Sequence, residues 1–363
     1  MEAYSVIFSA IKENFGFEFD PKDIPEQEAN EILCLAEGLD MSHLVALPQF
    51  KDYCEKKKLA AFYRTQLHGI EEEQITKLLD ENKINYVLLK GSVIRHYYPE
   101  KWMRTSSDID ILVKDCDIER ASEVICNSLG YSLEEKGSKD YQLYNERGTH
   151  LELHFSIKSD DVQDTVLGRV WDFVTPNENS FGLSLTPEFL LFYIIAHARF
   201  HFVAGGCGIK PFLDFWVMKN KLNYDKDKLF SLIKESKNEE FFEFFNLLTA
   251  VWFENSPHTE LSLRAEKYIL CGGAYGTSEN LGAASAHREG GWFRYFIKRV
   301  FKPKSELEIQ YPNLKKRPLL LPFYQIKRWF NLFNKDRRSD VNAEISGGLK
   351  KDETEKLFKE LGL

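Results

Sequence analysis

The sequence has no paired cysteine motif, no long apolar run and no internal repeat. Its six cysteines form no Cys-x-x-Cys pair and have no regular spacing, so we expect reduced, mostly buried thiols in a cytoplasmic protein. The longest apolar stretch, Phe189 to Ala198, is about half of what a membrane span needs. The N-terminus shows no basic segment followed by an apolar one, so no signal peptide is expected.

The chain also lacks an excess of positive charge. Its 363 residues carry 48 lysines and arginines against 56 acidic residues, a net charge of -8. This balance argues against binding of long duplex nucleic acid by the chain as a whole. A hydrophobic share of 43% is enough for packed cores, so disorder is not expected.

Hydrophobic periodicity divides the chain into four expected regions. The first and third follow a helical period, and the second alternates short strands with helices. We therefore expect an α+β or α/β fold, with a small mixed sheet inside a larger helical body. A glycine-rich stretch, residues 272–291, is interpreted as either a loop over the site or a linker. The expected regions are 1–82, 83–185, 186–275 and a basic, aromatic helical region, 276–363.

The most informative segment combines a small-residue turn with two spaced carboxylates. Asp108 and Asp110 lie in an apolar strand pattern, and side chains two apart on a strand share a face. Two adjacent carboxylates repel unless a cation lies between them, which predicts Mg²⁺ or Mn²⁺ held against a triphosphate. Gly91 would allow the phosphates to approach the backbone, and Ser92 would donate a hydroxyl ahead of a helix.

A third carboxylate is needed to complete the metal site and activate a hydroxyl. Glu152 is the candidate, because it lies on an alternating strand where it shares a face with His154. Lys90 and Arg104 are candidate phosphate partners, with arginine the better bidentate donor, and His154 is a further candidate nucleotide-binding residue. Lys90 is equally interpretable as a strand-end lysine that extends to water.

At these residues the chain resembles the DNA polymerase beta-type nucleotidyltransferase superfamily. More narrowly, it is similar to a bacterial family of uncharacterised nucleotidyltransferases that also tends to carry a helical histidine motif. That resemblance implies a polymerase beta-like core and an NTP donor such as ATP, and it leaves the acceptor open. The matching motifs are Leu89-Lys-Gly91, Arg104 to Asp110, Glu152-Leu-His154, and the set His197, His201, Lys210 and Asp214.

The expected activity is metal-dependent transfer of a nucleotidyl group from an NTP to a hydroxyl. The acceptor could be a small molecule, a sugar, a protein or a tRNA. The alternative is a nucleotide-binding module without turnover that acts as a partner or membrane-surface protein. His197 and His201 could line the cleft, bind zinc or pack structurally, and Lys210 and Asp214 could line the cleft or form a surface i,i+4 pair.

The C-terminal region is locally basic. Residues 287–338 contain fourteen lysines and arginines against four acidic residues, with aromatic residues interleaved. Three interpretations stay open: a helical face covering the core, a surface that grips RNA, or a segment that lies on an anionic membrane. The last would make the cytoplasmic protein peripheral at the membrane.

Overall fold

The computed structural model describes residues 2–21, 24–159, 161–274, 276–290, 292–304, 307, 311, 313–332 and 351–363. The chain forms two compact units. One comprises Met1–His197 and Lys210–Pro257, and the other Ala198–Ile209 and His258–Leu363. Our division of the sequence into four regions is a different partition and stays a prediction.

The first unit contains one mixed seven-stranded sheet, in the order β3-β4-β5-β2-β1-β7-β6. The pairs β2–β5 and β1–β7 are parallel, and the other neighbours are antiparallel. This confirms the predicted mixed sheet in a helical body. The strands are β1 (Tyr86–Leu88), β2 (Asp108–Val113), β3 (Tyr131–Lys136), β4 (Asp140–Asn145), β5 (His150–His154), β6 (Val174–Pro176) and β7 (Gly182–Leu185).

Some helix ends of the first unit match signals in the sequence. Helix α5 ends at Gly130, whose φ of +69° is the left-handed conformation that glycine adopts at helix ends. The helices are α1 (Glu2–Glu13), α2 (Glu26–Gly38), α3 (Lys51–Glu81), α4 (Lys90–Ile94), α5 (Ile118–Leu129), α6 (Asp164–Leu167), α7 (Pro187–Val203, of which residues 198–203 belong to the second unit), α8 (Lys210–Lys221), α9 (Lys226–Glu235) and α10 (Glu239–Phe253).

One face of the sheet packs against α3 and α5 and forms a core. Ile109 and Ile111 of β2 and Leu151 and Leu153 of β5 are fully buried there. Each such side chain contributes roughly 1.5–3 kcal/mol through burial. Because strand residues alternate, the polar side chains between them must lie on the opposite face. The core therefore fixes which side of the sheet carries the acids.

Two short strands had no prediction. β6 and β7 form an antiparallel hairpin, and β7 pairs in parallel with β1. Their three and four residues are too few to show an alternation in the sequence. The sheet therefore extends further on the β1 side than the sequence indicated.

The second unit is helical in its described residues. It contains α11 (Glu260–Cys271), α12 (Ser278–Arg288) and α13 (Trp292–Val300), with further helices at Asn313–Lys316, Leu321–Leu332 and Lys351–Glu360. The interpretation of residues 272–291 as loop or linker is wrong for α12, whose small residues are buried. Glycine and alanine allow close packing, so this composition indicated proximity rather than flexibility.

The structure also bears on the expected burial of the cysteines and on the expected absence of a membrane span. The prediction of mostly buried thiols is wrong, because Cys34, Cys116 and Cys271 are exposed. Within the described residues, no helix combines the length and apolarity that a bilayer span requires. RNA or membrane contact through 287–338 stays a prediction, and residues 291, 305, 306, 308–310, 312 and 333–338 of that segment lie outside the described part.

Candidate active site

The parallel register of β2 and β5 brings the predicted carboxylates side by side. Asp110 is the direct partner of Glu152, and Asp108 is the partner of His150. Directly paired residues point to the same face, so the three acids line the face opposite the apolar core. Asp110 is only 1% exposed, which makes its charge costly unless cations neutralise it.

Two overlapping donor groups have the composition of a divalent-metal site. Asp108, His150 and Glu152 form one group, and Asp110, Glu152 and His154 form the other, with ligand atoms within 4.8 Å of one another in each. Carboxylate oxygens suit Mg²⁺ and Mn²⁺, and imidazole nitrogens favour transition ions. The residues present therefore fit the metal that the predicted chemistry requires.

Two cationic side chains already contact these acids. Lys90 Nζ lies 2.7 Å from Asp110 Oδ1 and 3.6 Å from Glu152 Oε2. His154 Nε2 lies 2.8 Å from the same Asp110 oxygen and 3.3 Å from Glu152 Oε2. Lys90 also has a backbone φ of +43°, a conformation that costs a non-glycine residue about 1–3 kcal/mol. The site thus holds an internal counter-charge.

The pKa values reflect this ion cluster. Burial alone would raise the pKa of Asp110, but Lys90 and His154 hold it well below its usual range. Burial alone would lower the pKa of His154, but its hydrogen bonds to Asp110 and Glu152 raise it to about 9. Burial raises the pKa of Asp108, and the neighbouring Asp110 raises it further. Asp108 is therefore the acid of the three whose pKa is raised, whereas the pKa values of Asp110 and Glu152 are lowered.

The glycine-serine segment differs from its prediction. Gly91 and Ser92 lie inside the first turn of α4 rather than ahead of it, and the Ser92 amide already donates to the Leu89 carbonyl. Ser92 is nearly fully buried, and among the described residues its hydroxyl oxygen has no hydrogen-bond partner. Burial raises the pKa of the neighbouring Glu72. Its contact with phosphate stays a prediction.

Gly91 is required by close packing. A Cβ at this position would lie 2.9 Å from Ser106 Cβ and 3.0 Å from its Oγ. Arg95 fixes the same contact, because its Nε donates to the Gly91 carbonyl over 2.7 Å and its Nη2 lies 3.4 Å from Ser106 Oγ. The loop that leads into β2 is therefore locked against α4.

Arg104 and Asp214 form a buried ion pair. Arg104 Nε donates to Asp214 Oδ1 over 2.7 Å, and the Tyr98 hydroxyl donates to the same oxygen over 2.7 Å. Burial alone would lower the pKa of Arg104, but Asp214 raises it. Lys210 instead pairs with Asp40, so the interpretation of Lys210 and Asp214 as a surface i,i+4 pair is wrong. A phosphate role for Arg104 stays a prediction.

The two helical histidines fall in different compact units. His197 belongs to the first unit, where its ring centroid lies 6.0 Å from that of Tyr193. His201 belongs to the second, where its ring packs against Phe200. The metal-donor groups found among the described residues include neither histidine. A cleft role for His197 and His201 stays a prediction.

Sequence reasoning missed three residues at the site. His150 shares the face of Glu152, and alternation along β5 would have identified it. Gln142 is the direct partner of Glu152 on β4, and its amide lies 3.5 Å from the glutamate. Tyr193 on α7 is buried near Lys90, and burial raises its pKa. A local pattern therefore identifies His150, whereas only the fold brings Gln142 and Tyr193 to the site.

The sequence model of a family described as "Uncharacterised nucleotidyltransferase" matches residues 32–254. This range covers more than half of the chain and includes every acid described above. The chain belongs to this family. This nucleotidyltransferase family member has no match among curated proteins. The predicted family is thereby confirmed.

Proposed function

We propose that the protein transfers a nucleotidyl group from an NTP to a hydroxyl group, with divalent metal ions bound at the sheet. The observation that carries the proposal is the register of Asp110 with Glu152 beside Asp108, on the face opposite the core. The family match supports a nucleotidyl-transfer role. In the wider class of such reactions, the protein contributes mainly positioning and charge neutralisation.

Asp108, Asp110 and Glu152 would hold the ions, assisted by His150 or His154. Bound divalent ions supply charge neutralisation on the phosphates and a lower pKa for the attacking hydroxyl. Lys90 contacts two acids, and Glu152 is the more exposed of them, with 20% of its side chain exposed against 2% for Asp110. It is therefore the acid placed to accept the proton of an incoming hydroxyl.

Lys90 would exchange one anionic partner for another. In the described conformation its amine neutralises Asp110. When ions take over this neutralisation, the amine is free to contact a triphosphate on the Gly91 side of the site. Arrival of the donor and of the metal would then be coupled through one side chain.

The direct test is an Asp110→Asn variant compared with the native protein. We expect native protein to bind inorganic tripolyphosphate together with Mn²⁺, measured by titration calorimetry, and the variant to lose this binding. With labelled NTPs, pyrophosphate release should depend on the metal and disappear in the variant. A matched control is Asp115→Asn, an exposed aspartate just after β2.

A folding measurement separates chemistry from stability. Circular dichroism should show the same secondary structure in native protein and in both variants. Pyrophosphate release by folded Asp110→Asn protein at the native rate would refute the proposed function.

A further inference from the structure

The open face of the sheet carries an aromatic stack next to the proposed metal site. Tyr144 and His150 are direct cross-strand partners on β4 and β5. Their ring centroids lie 4.4 Å apart with an interplanar angle of 5°. His150 is also one of the donors grouped with Asp108 and Glu152. One end of the stack therefore lies next to the acids of the proposed metal site.

The other end of the stack reaches solvent. Tyr144 is 40% exposed, although its ring is stacked on one side by His150. Its partner on the next strand, β3, is the small and exposed Ser132. A small residue directly opposite leaves space for a flat ring on the outer face of Tyr144.

The polar side chains around the outer face of Tyr144, which we call the seat, hold His150 in place and carry negative charge. His150 Nε2 donates to the side-chain oxygen of Gln142, whose amide nitrogen lies 2.8 Å from Asp140 Oδ2. Glu135 is the cross-strand partner of Gln142 and is exposed on the same face. These carboxylates accept N–H groups and repel phosphates.

The position of the stack relative to the acids distinguishes the side of the NTP donor from the side of the acceptor. The predicted triphosphate side is the Gly91 side, next to β1, whereas β5, β4 and β3 extend from β2 in the other direction. In-line displacement requires the attacking hydroxyl to lie opposite the leaving pyrophosphate. A ring on the outer face of Tyr144 would lie over Ser132 of β3, two strand spacings or about 10 Å from β5, the strand of Glu152. The stack thus lies on the acceptor side.

We propose that Tyr144, extended by His150 and bordered by Ser132 and Glu135, seats a nucleobase of the acceptor, which is an uncharged nucleoside or a molecule that ends in one. This inference rests on the proposed function for its assignment to the acceptor. Stacking of a base on an aromatic ring tolerates any base. Glu135 would add preference for bases that present N–H groups.

The test uses adenosine as the probe and full-length protein saturated with Mn²⁺ and inorganic tripolyphosphate. Saturation-transfer NMR and calorimetry should show saturable binding of adenosine. Tyr144→Phe keeps the ring and should bind within about twofold of native protein. Tyr144→Ala should lose roughly 5- to 150-fold in affinity. Ser132→Leu keeps Tyr144 but fills the seat, and we expect at least a tenfold loss.

A matched control is Tyr63→Ala, because Tyr63 is 60% exposed on α3. It should leave adenosine binding unchanged. Absence of adenosine binding to native protein, or native affinity in both Tyr144→Ala and Ser132→Leu, would overturn the inference.

A separate experiment tests whether the seat belongs to the acceptor rather than to the donor. Each of four non-hydrolysable α,β-methylene NTPs replaces tripolyphosphate, and adenosine binding should persist. Loss of adenosine binding with these analogues would assign the seat to the donor base and overturn the inference. Failure of native protein to bind tripolyphosphate with Mn²⁺ would instead refute the proposed function, so the two failures are distinguishable.

Discussion

Replacing Lys90 with methionine should change metal and triphosphate binding in opposite directions. The Lys90 amine lies 2.7 Å from the Asp110 oxygen that it shares with His154. An ion bound to Asp110 would lie about 4 Å from the amine, where a pair of unit charges interacts by about 4 kcal/mol at an effective dielectric constant near 20. The Lys90 side chain is 22% exposed, so its amine can partly withdraw toward water.

We therefore expect the methionine variant to bind free Mn²⁺ about 10- to 100-fold more tightly, which corresponds to about 1.4–2.8 kcal/mol. The same variant should bind tripolyphosphate with Mn²⁺ more weakly, since a cation for the phosphates is lost. Titration calorimetry and the electron paramagnetic resonance of free Mn²⁺ measure both quantities.

Lys90→Arg is the matched control. It retains the charge, so it should not gain affinity for free Mn²⁺. In the methionine variant the buried Asp110 carboxylate has lost one cationic partner, which can destabilise the fold. Thermal melts of both variants therefore check that each is folded. If the methionine variant binds free Mn²⁺ with native or weaker affinity, the idea of an internal counter-charge is refuted.

Three further predictions concern stability. Asp214→Asn should cost about 3–5 kcal/mol in denaturant unfolding because Arg104 stays buried without its partner, whereas Tyr98→Phe should cost about 1 kcal/mol; equal costs would contradict this ion pair. Gly91→Ala should cost about 1–3 kcal/mol in the same assay, and Ser106→Gly added to it should restore stability if the contact is the cause. Burial lowers the pKa of both His43 and His68 to about 4, below the unfolded value near 6.5, so stability should fall as pH drops from about 6.5 to 4, by up to about 1.4 kcal/mol per pH unit for each histidine. His43→Gln should reduce this slope by the contribution of one histidine, and an unchanged slope would exclude His43 as a source.

The carboxylate cluster was predictable because its signals are local. Alternation of apolar and polar residues in β2 and β5 fixed the faces of Asp108, Asp110 and Glu152. The apolar partners on the other face are all buried, so the alternation has a direct energetic cause. Helix ends were predictable because their signals are also local, as the glycine at the end of α5 shows.

Contacts between distant segments were not predictable from one sequence. Arg104 and Asp214 belong to two separate sequence motifs. Their ion pair could not be predicted, because it depends on where α8 packs. The position of Lys90 among the acids likewise depends on the backbone turn after β1. A residue type and its spacing indicate a candidate role, whereas the partner that a buried charge selects is decided by tertiary packing.

The carboxylate of Asp214 receives both a guanidinium and a phenol from the segment just before β2. A substitution at either end strands a charge in the protein interior, and only a matching substitution at the other end relieves it. Related chains should therefore vary positions 104 and 214 together, as a correlated pair in evolution rather than as two independent sites.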